Sequence, residues 1–253
     1  MTLHGLPCWF ELGTSDLDAA ARFYGEVFGW QIGTSEMIGF DYRIARLGDS
    51  GTGGLMQAPE GLPPYWMIYL GVDDADAAVR ATVAAGGKVW KEAETVPGVG
   101  RFAVLADPQG AAFGVLQPDP TTAGQGGAAY DSCKPGHVNW IELMSTDPVA
   151  GFDFYAGLLG WSRGDVMQMG DSGDYQMFLH DGAAIGAVMG LGDAPLPNWL
   201  PYFGCASVSA TMAAITAAGG RIQLGPMPVP DAHIAIAQDP QGAWFAIVGP
   251  LEG

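Results

Sequence analysis

The sequence predicts an α+β protein built as a tandem duplication, and three observations carry that prediction. Phe23-Tyr24-Gly25-Glu26-Val27-Phe28-Gly29-Trp30 returns as Phe154-Tyr155-Ala156-Gly157-Leu158-Leu159-Gly160-Trp161, and a segment that recurs with its flanks marks an internal repeat. The flanks recur too, at offsets of 131 to 133 residues: Trp9 and Glu11 as Trp140 and Glu142, Asp41-Tyr42 as Asp174-Tyr175, Pro64-Tyr65-Trp66 as Pro197-Asn198-Trp199, Tyr69 as Tyr202, and Asp107-Pro108-Gln109-Gly110 as Asp239-Pro240-Gln241-Gly242. Finally, 39 Gly and 18 Pro among 253 residues call for many turns and short strands, while 49% hydrophobic residues supply a sizeable core.

Taken in order, residues 7–12 read as a first strand. Thr14-Ser15-Asp16 then offers capping oxygens, and apolar residues at 17, 20, 23, 24, 27 and 28 keep helical spacing. Gly29 can end that helix in a left-handed conformation. Two or three short strands follow between Phe40 and Met56, with Gly-rich turns at 48–54. After a break at 61–64, a strand over 65–72 leads into the cap Asp73-Asp74 and a helix over 75–85 that ends at Gly86-Gly87. Strands fill 88–117, the last pair joined by the Asp-Pro-Gln-Gly turn. This unit then repeats, so the boundaries are 1–118 for a first domain, 119–135 for a Pro/Gly-rich linker, and 136–253 for a second domain.

Net charge is −17, with ten Lys+Arg against twenty-seven Asp+Glu. Nucleic-acid binding needs basic clusters, and none is denser than Lys88 with Lys91. Three scattered cysteines, with no Cys-x-x-Cys, suggest neither a disulfide framework nor a Cys-rich zinc site. Nothing approaches an unbroken membrane-spanning apolar run. The expectation is a cytoplasmic chain, monomer or homodimer, with neither nucleic acid nor membrane as partner. No dinucleotide fingerprint, phosphate-binding loop or nucleophile elbow is present. The Gly runs at 51–54 and 124–127 are read as a turn and a linker, so no cofactor is expected.

Thr14-Ser15-Asp16, the Phe-Tyr…Gly-Trp helix, the Val72-Asp73-Asp74 strand end and the Asp-Pro-x-Gly turn, in this order and twice over, resemble the glyoxalase/bleomycin-resistance family, the vicinal oxygen chelate superfamily. The resemblance covers about 90% of the chain. It implies tandem glyoxalase-like domains, each of two βαβββ modules with curled antiparallel sheets around a cavity. In the family's metalloenzymes, His, Gln or Glu on the first strand of each module and on the last strand hold a divalent ion. Carried over, those positions are Trp9, Met67 and Gly114, then Trp140, Leu200 and Ala246. Indole is only a donor, a thioether is soft, and Gly, Leu and Ala offer no donor atom. The resemblance therefore predicts the fold but not the family's metal chemistry.

Strand alternation places Glu11 on the face of Trp9, Tyr69 on the face of Met67, Glu142 on that of Trp140, and Tyr202 on that of Leu200. A carboxylate in an aromatic-walled pocket can work as a general acid or base; it can equally serve only to fix backbone groups. The candidate catalytic residues are Glu11, Glu142, His233 and Tyr202. The candidate substrate-binding residues are Trp9, Met67, Tyr69, Arg101, Trp140 and Leu200. His233 stands where the first half has Arg101, and the second half alone carries His180 and His233, which favours it as the working half. His4 is expected to be disordered.

Three functions fit. The first is a metal-independent enzyme acting on an aromatic or polycyclic small molecule by proton transfer, a natural-product tailoring step such as cyclisation, dehydration, isomerisation or acetal formation. The second is a non-catalytic sequestering or resistance protein. The third is a metal-dependent lyase or dioxygenase with relocated ligands.

Overall fold

The computed structural model describes residues 3–35, 41–122, 128–170 and 173–252. Phe40 and the glycines of the 124–127 run lie outside the described residues. The chain forms four βαβββ modules. The first is β1 (Pro7–Thr14), α1 (Leu17–Phe28), β2 (Gln31–Thr34), β3 (Tyr42–Leu47) and β4 (Ser50–Gln57). The second is β5 (Tyr65–Gly71), α2 (Ala75–Ala84), β6 (Lys88–Val96), β7 (Gly100–Ala106) and β8 (Ala112–Pro118). The third is β9 (Val138–Ser145), α3 (Pro148–Leu159), β10 (Ser162–Gln168), β11 (Asp174–His180) and β12 (Ala183–Gly190). The fourth is β13 (Asn198–Gly204), α4 (Val208–Ala217), β14 (Arg221–Val229), β15 (Ala232–Gln238) and β16 (Trp244–Gly249).

The strands make two eight-stranded sheets, ordered β2-β3-β4-β1-β5-β8-β7-β6 and β10-β11-β12-β9-β13-β16-β15-β14. Within a module the hairpins are antiparallel, while the first strand lies parallel to the last. A parallel pair needs a long crossover, which the helix begins. The register sets Glu11 opposite Gly54, Tyr69 opposite Gly114, Glu142 opposite Ala187 and Tyr202 opposite Ala246.

Each helix starts where the sequence supplies an oxygen. Asp16 accepts from Ala19 N at 2.9 Å, Asp74 from Ala77 N at 2.8 Å, Asp147 from Ala150 N at 3.0 Å and Ser207 from Ala210 N at 3.2 Å. Such a cap contributes about 1 kcal/mol. Gly29 and Gly160 close α1 and α3 with φ of 71° and 73°, a conformation that only glycine adopts without strain.

Two departures from the sequence reading have clear causes. Gly51, Gly53 and Gly54 lie within β4, and the turn is confined to residues 48–49. Glycine in a strand marks close approach: a Cβ on Gly53 would meet the Phe10 carbonyl oxygen at 2.9 Å. His4 is not disordered, because its Nδ1 accepts from Asp73 N at 3.3 Å and its carbonyl lies 2.8 Å from His180 Nε2.

The chain divides into two compact units that interleave the sequence halves. One comprises Met1–Cys8, Ile68–Gln125 and Ile141–Trp199; the other comprises Trp9–Met67, Gly126–Trp140 and Leu200–Gly253. Each unit is fastened by the same tie. In the second unit the buried Tyr24 hydroxyl donates to Asp239 Oδ2 at 3.1 Å and accepts from Trp66 Nε1 at 3.0 Å. Asp239 Oδ1 accepts the backbone N–H groups of Gln241, Gly242 and Ala243 at 2.9, 2.8 and 2.9 Å. In the first unit Tyr155 donates to Asp107 Oδ2 at 3.2 Å and accepts from Trp199 Nε1 at 3.0 Å. Asp107 Oδ1 takes the N–H groups of Gln109, Gly110 and Ala111.

These bonds explain most of the repeated motifs. The Tyr of each signature helix meets the Asp-Pro-Gln-Gly turn of the other sequence half. The Gly-Trp at its end also reaches the other sequence half, where Trp30 donates to the Gly136 carbonyl and Trp161 to that of Gly5, at 2.9 and 2.6 Å. Helix α1 packs on β4 of its own module. It also packs on the fourth module, with Tyr24 5.8 Å and Phe28 6.1 Å, ring to ring, from Phe245. Burial pushes both aspartates above the ordinary carboxylate value, against the pull of their hydrogen bonds.

Candidate functional site

Trp9, Glu11 and Gly13 share one face of β1 by alternation. Glu11 stands opposite Gly54 of β4. Tyr42, at the start of β3, sends its hydroxyl into the space that a Cβ on Gly54 would fill. There it accepts from Trp9 Nε1 at 2.8 Å and hydrogen-bonds to the Glu11 carboxylate. Burial, and after it the Glu11 charge, holds the Tyr42 proton well above the usual phenol range. Tyr42 is thus a neutral donor that fixes Glu11, and Trp9 fixes Tyr42.

Tyr65, the first residue of β5, lays its ring over Gly13. A Cβ there would lie 2.7 Å from Cε1 and Cζ and 3.1 Å from the hydroxyl. Tyr65 is half-buried, and burial followed by the Glu11 charge raises it as well. Two phenols, an indole and a carboxylate therefore gather on one face within one compact unit. Met67 is buried and has the same strand parity as Tyr65.

The second copy differs. Glu142 is 5% exposed, but the residue opposite it is Ala187. That position carries a Cβ where the first copy has Gly54. Gly13 and Tyr65 correspond to Met144 and Asn198, and the Asn198 amide donates to the Leu196 carbonyl at 2.8 Å. Trp140 is half-buried.

The remaining candidates are dispersed. The Tyr69 ring covers Gly114 and meets Phe102 edge-on at 6.2 Å. Tyr202 and Leu200 are buried in β13. His233 is half-buried in β15, opposite Pro228 and Gly249. Arg101 is engaged on the first turn of α2: Nε and Nη2 bond the two Asp76 oxygens at 2.9 and 2.8 Å. That partnership holds the Asp76 carboxyl below its usual range.

Sequence reasoning missed Tyr42 and Tyr65 as site residues. Tyr42 was visible only as a repeat marker. Tyr65 had a direct signal, because the alternation that aligns Met67 with Tyr69 includes Tyr65.

The residues do not fit a family-type divalent ion. The six carried-over positions hold no suitable donor, and the Gly114 position is filled by the Tyr69 ring. Among the described residues no group of three or more His, Cys, Asp or Glu could hold a metal. A shallow cleft of about 290 Å³ lies elsewhere, between the 219–221 and 238–242 turns, lined by Arg221 and the Asp239 turn. It is part of the scaffold tie. Among the described residues no helix is long and apolar enough to cross a membrane.

Four βαβββ modules in two mixed sheets define a tandem glyoxalase-like protein. Residues 9–116 match the glyoxalase-like domain model, and residues 137–247 match that of the glyoxalase/bleomycin resistance protein/dioxygenase superfamily. The chain belongs to that superfamily. It is 32% identical over 257 residues to the putative glyoxylase CFP32 of Mycobacterium tuberculosis (strain CDC 1551 / Oshkosh), covering 97% of this chain and 95% of that one. It is also 32% identical over 269 residues to the anthracycline biosynthesis protein DnrV of Streptomyces peucetius, covering 98% and 94%. In fold it is similar to the Mn(II)-bound glyoxalase of Novosphingobium aromaticivorans, with TM-score 0.69, 21% identity and coverage of 100% and 84%. It is likewise similar to the 2,3-dioxygenase LapB of Pseudomonas sp. KL28, with TM-score 0.67, 15% identity and coverage of 100% and 95%.

Proposed function

We propose that this chain is a metal-independent enzyme that binds an aromatic or polycyclic small molecule and moves a proton on it with Glu11. The observation that carries this reading is the Trp9–Tyr42–Glu11 chain, in which a buried neutral phenol orients a carboxylate on an aromatic-walled face. Orientation of this kind is what a general base requires. Similarity along nearly the whole chain to an anthracycline biosynthesis protein supports a natural-product tailoring step on a flat polycyclic substrate. Cyclisation, dehydration or isomerisation needs only a positioned base and donor.

Glu11 abstracts or returns the proton. Tyr42 stays protonated and holds the carboxylate, Trp9 and Tyr65 form aromatic walls, and no step passes through a metal. The first copy is the working one, in place of the second-half preference drawn from His180 and His233. Three unpaired cysteines, Cys8, Cys133 and Cys205, suit a reducing compartment such as the cytoplasm.

The test combines turnover of polycyclic polyketide substrates with elemental analysis. Glu11→Gln is expected to slow turnover while sparing affinity. A stoichiometric transition metal that restores activity after chelation would overturn the metal-free reading in favour of relocated ligands. Tight binding with the ligand returned unchanged would favour a sequestering or resistance role, which the aromatic face also suits.

A further inference from the structure

We propose that Arg46 reads an acid group on the ligand, so that the substrate class of the Glu11 face is a planar polycyclic carboxylate, bound with its acid at the end away from the reacting proton. This rests on the reading above that the Glu11 face takes an aromatic small molecule.

Strand register places Arg46. Glu11, Gly54, Ile44 and Gly33 stand opposite one another across β1, β4, β3 and β2, and so share one face. Arg46 follows Ile44 by two residues, which returns it to that face. The bulge at this point belongs to β4, where the pairing steps from Gly53 to Gly51. The strand β3 itself stays regular, since its pairing with β2 runs unbroken from Arg43 opposite Thr34 to Arg46 opposite Gln31. Arg43 sits on the other face, where it bonds Asp18 of α1 at 2.7 Å and Asp41 at 3.1 Å.

Arg46 has no such commitment. It is exposed, and among the described residues it makes neither an ion pair nor a hydrogen bond. In a chain of net charge −17, an uncommitted guanidinium is a local attraction for an anion. With strands about 4.8 Å apart and about 6.8 Å per two residues, its Cα lies about 12 Å from that of Glu11. The floor between them includes the half-buried Ile44 with Gly33 beside it, where even an added Cβ would meet nothing within 4 Å. A flat fused-ring system spans that interval.

The charges set its direction. Glu11 repels an anion placed beside it, so the acid belongs at Arg46 and the reacting carbon is left at Glu11. The guanidinium fork meets a carboxylate in plane through two parallel hydrogen bonds. The second copy lacks this reader, because Leu179 stands at the matching position, opposite Ser162.

The experiment measures the affinities of anthracene-2-carboxylate, its methyl ester and anthracene-9-carboxylate for the full chain and for the Arg46→Leu and Arg46→Lys variants. Thermal unfolding checks that each variant is folded. The full chain is expected to bind the 2-carboxylate about fivefold to twentyfold more tightly than the ester, a preference that shrinks as salt is raised. The 9-carboxylate, whose acid projects from the middle of the ring system, should gain nothing over the ester. Arg46→Leu is expected to abolish the preference and leave the ester's affinity unchanged, while Arg46→Lys keeps part of it. A preference that survives in Arg46→Leu, an equal gain for the 9-carboxylate, or no preference at all overturns the acid-reading inference and leaves the aromatic-ligand reading standing. If none of the three binds, that reading falls with it.

Discussion

The Tyr–Asp–Trp ties and the two Glu-bearing strands are both products of one duplication, and they have fared differently. The ties match within 0.1 Å, at 3.1 against 3.2 Å for Tyr to Asp and 3.0 Å in both for Trp to Tyr. The Glu strands keep Trp and Glu but exchange the residues around them: Gly54 for Ala187, Gly13 for Met144, Tyr65 for Asn198. Where the copies agree, the residues hold the fold together. Where they part, the first copy seats Tyr42 and Tyr65 over two glycines beside its carboxylate, and the second carries Ala187 and Met144 at the matching positions.

The strongest way to break this comparison is the pair Glu11→Gln and Glu142→Gln. Glu11→Gln is expected to lower kcat by about 10²-fold or more, the scale of a lost general base, and Glu142→Gln to leave it within a few-fold. Steady-state kinetics that gave equal losses would end the assignment to the first copy. Next come the ties. Asp239→Ala and Asp107→Ala each leave three backbone N–H groups and a tyrosine without their acceptor. Each should cost at least about 3 kcal/mol of stability in urea unfolding, and the two should agree within about 1 kcal/mol if the ties are equivalent.

A smaller effect sharpens the contrast at the site. Gly54→Ala installs the second copy's side chain and displaces the Tyr42 hydroxyl. Its overpacking should destabilise by about 1–3 kcal/mol and lower turnover toward that of Glu11→Gln. Ala187→Gly should cost no more than about 1 kcal/mol, the backbone penalty of a strand glycine.

The smallest effect is a pH dependence. Asp107 and Asp239 have folded values raised above the ordinary 3.8. The fold then holds more protons than the unfolded chain, so their contribution is fully present below 3.8 and is lost as pH rises through the raised values. Asp239→Asn should therefore lose ground to the wild type at low pH and recover part of it as pH rises. Unfolding curves for both proteins across the acid range decide it; a constant or widening gap would show that the carboxylate is not strained by burial.

Much of the fold was legible because the signals were local. Asp16, Asp74 and Asp147 cap the helices they precede, Gly29 and Gly160 end theirs, and the repeat fixes the alignment of the rest. The ties were not legible. Tyr24 and Asp239 are 215 residues apart, and no local pattern says which turn a helix will meet. The run at 51–54 misled because glycine serves equally for a turn and for close packing in a strand. At the site, Trp9 and Glu11 were legible from alternation. Tyr42 was not, because its role depends on the missing side chain of Gly54 on another strand. Arg101 was read as a substrate-binding residue without account of Asp76, which is 25 residues upstream on a helix.

The interleaving of the compact units bears on synthesis at the ribosome. Tyr24 emerges early, yet its partners Phe245 and Asp239 lie within the last twenty residues of the chain. Until they appear, the part of α1 that packs on the fourth module has no cover, and contacts of such sequence separation close slowly. The nascent first half is therefore a natural client for a holding chaperone. A gene split in the 119–135 segment should yield halves that precipitate when made separately and recover solubility when made together.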